Sequence, residues 1–149
     1  MIFWGAVLAV HILCAAIWVG GLFFALLVLR PSLAVLEPEQ RLAVHGQVFR
    51  RFFLVVWHVM PLTLLSGYEM LFGVYRGFAG ADWSVNVMQL LGLVMAAIFV
   101  VIFVGPWATL RRAPAGPEAA ASVDKIRKLV QANLVLGLAT IAIAALGWR

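Results

Sequence analysis

The chain has 149 residues, 65% of them hydrophobic and only 11% charged, with a formal net charge of +5. That balance excludes a soluble globular domain, and a single cysteine excludes an internal disulfide. The basic residues cluster between long apolar stretches, which excludes nucleic acid as the partner and makes the lipid bilayer the partner.

Four stretches, 2–29, 52–75, 84–110 and 129–148, reach the roughly 20 apolar residues that a bilayer core demands. Their length and uniform apolarity predict helices, because backbone in lipid satisfies its own hydrogen bonds and barrel strands would be short and alternating. The expected fold is an all-α integral membrane protein, an antiparallel four-transmembrane-helix bundle forming a single membrane domain over 1–149. The first stretch lacks a basic leader, and Leu13 before Cys14 spoils a lipoprotein cleavage site, so this stretch is expected to stay as a helix.

Between the first two spans, EPEQRLAVHGQVFRRFF carries Pro38 at a first helical turn and apolar Leu42, Val48 and Phe49. It reads as an interfacial helix leading into span two, or as a solvated connector. The next connection, RGFAGADW, is short and predicts a tight antiparallel hairpin of spans two and three. In RRAPAGPEAAASVDKIRKLV, Pro114 and Pro117 break the chain and Glu118 opens a helix, so span four is expected to begin as a helix outside the bilayer. Arg30, Arg41, Arg50, Arg51, Arg111, Arg112, Lys125, Arg127 and Lys128 fall in the two long loops, against Arg76 and Arg149 elsewhere. The positive-inside rule then places those loops in the cytoplasm and both termini outside. Gly5, Ala9, Ala16 and Gly20 in span one, and Gly137, Ala142 and Ala145 in span four, are spaced for close helix approach, within the bundle or in a homodimer.

Ionisable groups inside a membrane are functional candidates, and there are three: His11, His58 and Glu69. His45 falls in a loop and is assigned no role. At about 1.5 Å per residue, His11 and His58 differ in depth by roughly 15 Å, too far apart to share one haem iron. His11 therefore forms an outer site. At its level lie Glu69 and Met70 on span two and Met88 and Gln89 on span three, with Trp18 two turns along its own face. Arg76, Tyr75 and Trp83 stand where haem propionates would need partners.

Glu69 either orients the imidazole or pairs with Arg76. The alternative for His11 is a packed group bonded to Glu69 or to a backbone carbonyl. A second, weaker site would use His58 with Arg50, Arg51 or Arg111, unless His58 satisfies a backbone group near Pro61. A copper reading uses His11 with Cys14, three residues away on the same face, and the soft ligands Met70 and Met88. No nucleophile with its base, no glycine-rich phosphate loop and no CxxC pair is present.

With HILCAAIWVGGLFFALLVLRP, VVWHVMPLTLLSGYEML and MQLLGLVMAAIFVVIF in view, the chain resembles the membrane domain of the CopD copper-resistance family. It is similar, more distantly, to haem-containing protoporphyrinogen oxidases of the HemJ type. The resemblance implies a bacterial inner-membrane protein with His11 as a haem or metal ligand. HemJ-type proteins place a lysine near the start of span three, where this chain reads VNVMQLL, so porphyrinogen oxidation is not expected. The leading expectation is a b-type haem bound through His11 and serving electron transfer, with a quinone or another redox protein as partner. The alternatives are copper import or resistance through Cu(I), and a cofactor-free structural or dimerising subunit.

Overall fold

The computed structural model describes residues 2–147, and every regular element in that range is helical. Helix α1 (Ile2–Phe24) runs through a π-helical stretch (Ala25–Leu29), a single turn α2 (Arg30–Ser32) and a 3-10 turn (Leu33–Val35). Then come α3 (Pro38–Gly73), α4 (Trp83–Val104), α5 (Pro106–Arg112) and α6 (Gly116–Leu146). Four helical runs are long and apolar enough to cross a membrane, as expected: Ile2–Val35, Pro38–Gly73, Trp83–Arg112 and Gly116–Leu146. The expected end of span four at Trp148, and Arg149, lie outside the described residues.

The helices outrun the apolar stretches. At ~1.5 Å per residue, the 36 residues of α3 extend for about 54 Å, against a bilayer core of roughly 30 Å. The interfacial segment expected before span two is thus the opening of α3 itself, continuous through Arg50 and Arg51, since arginine is a good helix former. Its first turn is closed by Gln40 Oε1 accepting from the Glu37 N–H at 3.3 Å. Likewise α6 starts at Gly116, well before the apolar run, as the sequence predicts. The third span is broken rather than continuous. Gly105 leaves helical geometry (φ −96°, ψ −104°), and Pro106, which lacks an N–H, restarts the chain as α5. In the first span the N–H of Arg30 reaches back five residues to Ala25 O, just before Pro31 withdraws the next donor.

Helix α1 packs most extensively on α3, and α4 on α6; α3 with α4 and α1 with α6 close the ring. The expected hairpin of spans two and three exists, turning through Arg76 (φ 60°) and Gly77 (φ 100°), but it is not the tightest pair. Glycines explain which pairs are. Gly21 lies under the Phe52 ring and Gly73 under the Trp4 ring, so α1 and α3 approach where a Cβ would collide. Gly137 does the same for α6, with Val19 and Met95 against it. The small residues of span one are different: Gly5, Ala9, Ala16 and Gly20 all face outward, with open space at Gly5 and Gly20. They do not serve packing inside the bundle. Ala142 and Ala145 are also exposed.

The core is richest in rings at the end where the basic residues gather. Phe53, 2% exposed, meets Phe49, Phe99 and Trp107 with centroids 5.6, 5.7 and 5.3 Å away. Deeper in the bundle, Asn133 is 1% exposed and donates through Nδ2 to Met95 O at 3.2 Å, tying α6 to α4. Interhelical hydrogen bonds in membranes average well under 2 kcal/mol, because the unfolded chain finds substitutes. Asn133→Ala should therefore lower stability by only about 1 kcal/mol, measured by unfolding in mixed micelles. A loss several times larger would show that this bond decides how α4 and α6 pair.

Candidate functional site

The buried residues of α1 include Val7, Cys14, Trp18 and Leu22, a stripe at helical spacing turned toward the bundle. His11 lies on that stripe, half-buried. Its Nδ1 is 2.9 Å from the Thr63 carbonyl oxygen and 3.0 Å from Ser66 Oγ. A carbonyl only accepts, so Nδ1 carries the proton and donates. Ser66 spends its own proton on Leu62 O at 2.6 Å, leaving its oxygen to accept as well. The opposite nitrogen, Nε2, is therefore the one with a free lone pair. Among the described residues it has no hydrogen-bond partner.

Gly67 makes room for this ring. A Cβ there would stand 3.1 Å from His11 Cε1 and 3.3 Å from Gln89 Nε2. The imidazole of α1 and the amide of α4 thus converge over a missing side chain on α3. Gln89 was foreseen at this level. Thr63, Ser66 and Gly67 were not, although PLTLLSG places two hydroxyls and a glycine at one-turn spacing inside an apolar run.

Met70 continues the Thr63, Ser66, Gly67 face by about one turn and is half-buried, as is Met88 beside Gln89. Cys14, one turn along α1, is 8% exposed, and Trp18 is 2% exposed with its Nε1 unpartnered. Glu69 does not orient the imidazole. It lies off that face and is exposed, and the Thr63 carbonyl holds the nitrogen instead. Nor does Glu69 pair with Arg76: among the described residues it forms no ion pair, because the helix ends at Gly73 and Arg76 sits in the turn beyond. Arg76, Tyr75 and Trp83 are all exposed.

His58 is separate from this site. It is exposed and donates from Nδ1 to Leu54 O at 2.7 Å, on its own preceding turn. It precedes the Thr63 to Gly67 turn by five to nine residues, or about 8–13 Å along α3, a smaller separation than the roughly 15 Å expected from the span ends. Arg50 and Arg51 are exposed, and the Arg111 guanidinium lies over Phe103 and Trp107 at 5.7 and 5.9 Å. Among the described residues no three His, Cys, Asp or Glu side chains come together as a metal cage. Any metal at His11 would have to accept few ligands, with thioether or amide help.

Together these features define a multi-pass, all-α membrane protein that holds an oriented imidazole inside its bundle. The chain belongs to the copper resistance protein D (CopD) family, whose model matches residues 46–146, roughly two thirds of its length. The match begins within α3, so α1 and His11 precede it. No curated protein and no solved structure matches the chain. The distant likeness to HemJ-type oxidases has no counterpart in these findings. They favour the copper alternative over the expected b-type haem and electron transfer.

Proposed function

We propose that this protein handles copper within a bacterial inner membrane, taking Cu(I) as cargo at the level of His11. The observation that carries the reading is the fixed tautomer: Thr63 O and Ser66 Oγ hold Nδ1–H, which presents the Nε2 lone pair as a donor. Cys14 stands one turn away on the same buried stripe, the Gln89 amide meets the ring over Gly67, and Met70, one turn after Gly67, and Met88, next to Gln89, are the nearest thioethers along their helices. Soft sulfur with imidazole suits Cu(I) over harder ions. A Cu(I) ion bound by one thiolate and one neutral imidazole carries no net charge, which lowers the penalty of holding it in hydrocarbon. The thiol proton leaves to solution as the ion binds. In this reading the basic end of the bundle faces the cytoplasm and His11 opens toward the outer leaflet.

The test is Cu(I) affinity of the purified protein in nanodiscs, measured against a chromophoric Cu(I) chelator, for wild type, His11→Ala and Cys14→Ser. We expect about one ion per chain and a loss of roughly tenfold or more in His11→Ala. Unchanged affinity in His11→Ala overturns the assignment. A Soret band in haem-supplied protein that vanishes in His11→Ala would restore the haem reading.

A further inference from the structure

The basic end of the bundle contains a cleft of about 420 Å³ that the copper reading does not use. It lies between the end of the first helical run, the opening turns of α3 and the early turns of α6. Arg30, Arg41, His45 and Arg127 line it, with Asp124 as its one carboxylate. That carboxylate is already engaged: Asp124 Oδ1 accepts from Arg127 Nε at 3.0 Å, and Oδ2 lies 3.0 Å from Lys128 Nζ. Arg41 gives one terminal nitrogen to Ala34 O and Leu36 O, at 3.2 and 3.0 Å, which leaves its Nε buried without a partner. Among the described residues Arg30 has no carboxylate opposite it.

His45 is the second, independent observation. It is 9% exposed, its ring is stacked on Phe49 with centroids 5.5 Å apart, and its Nδ1 is buried with no partner. A buried polar nitrogen without a partner is destabilising, and the Arg41 Nε–H and an unpaired imidazole nitrogen beside the guanidinium of Arg30 mark a place where an acceptor belongs.

We propose that this cleft binds a phosphate-class oxyanion, held by the guanidinium fork of Arg30, by the unpartnered Nε–H of Arg41 and by the Nδ1–H of His45. Guanidinium forks match phosphate oxygens two at a time, and the stacked imidazole adds a donor whose direction is fixed by Phe49. The cleft stands where helices leave the bilayer. The phosphate is therefore either that of an anionic lipid headgroup or a free one from solution. The site is independent of copper at His11.

Thermal stability of the full-length, delipidated protein tests this in two arms. One adds phosphatidylglycerol to phosphatidylcholine nanodiscs; the other adds inorganic phosphate to nanodiscs of phosphatidylcholine alone. We expect saturable stabilisation in at least one arm, weakened roughly tenfold in apparent affinity by Arg30→Gln and by His45→Phe, which keeps the stack on Phe49. Arg112→Gln, an exposed arginine outside the cleft, should leave it unchanged. Stabilisation by phosphatidylglycerol alone identifies a headgroup site, and stabilisation by inorganic phosphate identifies a soluble ligand. Absence of stabilisation in both arms overturns the proposal, as does an effect that Arg30→Gln and His45→Phe leave intact.

Discussion

Gly67→Leu should abolish Cu(I) binding at the His11 level while leaving a folded, membrane-inserted bundle. The glycine is the floor on which His11 and Gln89 meet, with its absent Cβ 3.1 Å from one ring carbon and 3.3 Å from the amide nitrogen. A first carbon at those distances asks its neighbours to move by a few tenths of an ångström. A leucine adds three more carbons in the same direction, and the flexible partners, His11 and Gln89, are what must leave. Once the ring moves, Nδ1–H loses the Thr63 carbonyl and the orientation of Nε2 goes with it. The backbone suffers little, since leucine is a better helix former than glycine. Gly67→Ala is the graded control: stability equal to wild type or higher by up to about 1 kcal/mol, with Cu(I) affinity reduced only a few-fold. Chelator competition on the three proteins reads this directly. Wild-type affinity in Gly67→Leu would mean that copper, if bound, is bound elsewhere.

Phe53→Ala is expected to be the most destabilising single truncation in the bundle, by about 3 kcal/mol in unfolding from mixed micelles. In a membrane the removed ring gains nothing from avoiding water, so the loss comes from the cavity and the missing ring contacts. Phe53 has many such contacts, with edge-on rings of Phe99 and Trp107 and a stacked Phe49. Trp57→Ala makes the comparison: this ring also meets Phe99 and Phe103, at 5.3 and 5.2 Å, but is 38% exposed. Lipid can fill its space, and we expect less than half the effect. Equal losses would mean that ring contacts matter here irrespective of burial.

Apolar length reports where lipid is, and that much was legible: four spans, no strand, basic connections. It does not report where a helix ends, because Arg50, Arg51 and the residues after Gly116 propagate helix outside the bilayer as well as leucine does inside it. Nor does it tell core from lipid, since both surfaces are apolar. This is why Gly5, Ala9, Ala16 and Gly20 read as a packing seam and yet face outward, while Gly21, Gly67 and Gly73 do the close packing. At His11 the depth argument reaches Gln89, whose amide stands with the imidazole over Gly67, because depth follows from counting residues. Glu69 was at the right depth but the wrong angle around α3. The role of His45 was hidden for another reason: its burial comes from the first helical run and α6 folding over it, contacts far apart in sequence.

The π-helical stretch at Ala25–Leu29 has a consequence of its own. A π turn accommodates one residue more than an α turn, so in descent it is equivalent to a single-codon insertion tolerated inside a helix. Each residue rotates an α-helix by about 100°, and the wide turn absorbs that rotation, so everything after the stretch keeps the side it would hold without the extra residue. Arg30 follows immediately. The wide turn is thus what lets the first span carry one residue more and still set the arginine beside the cleft that Arg41 and His45 line.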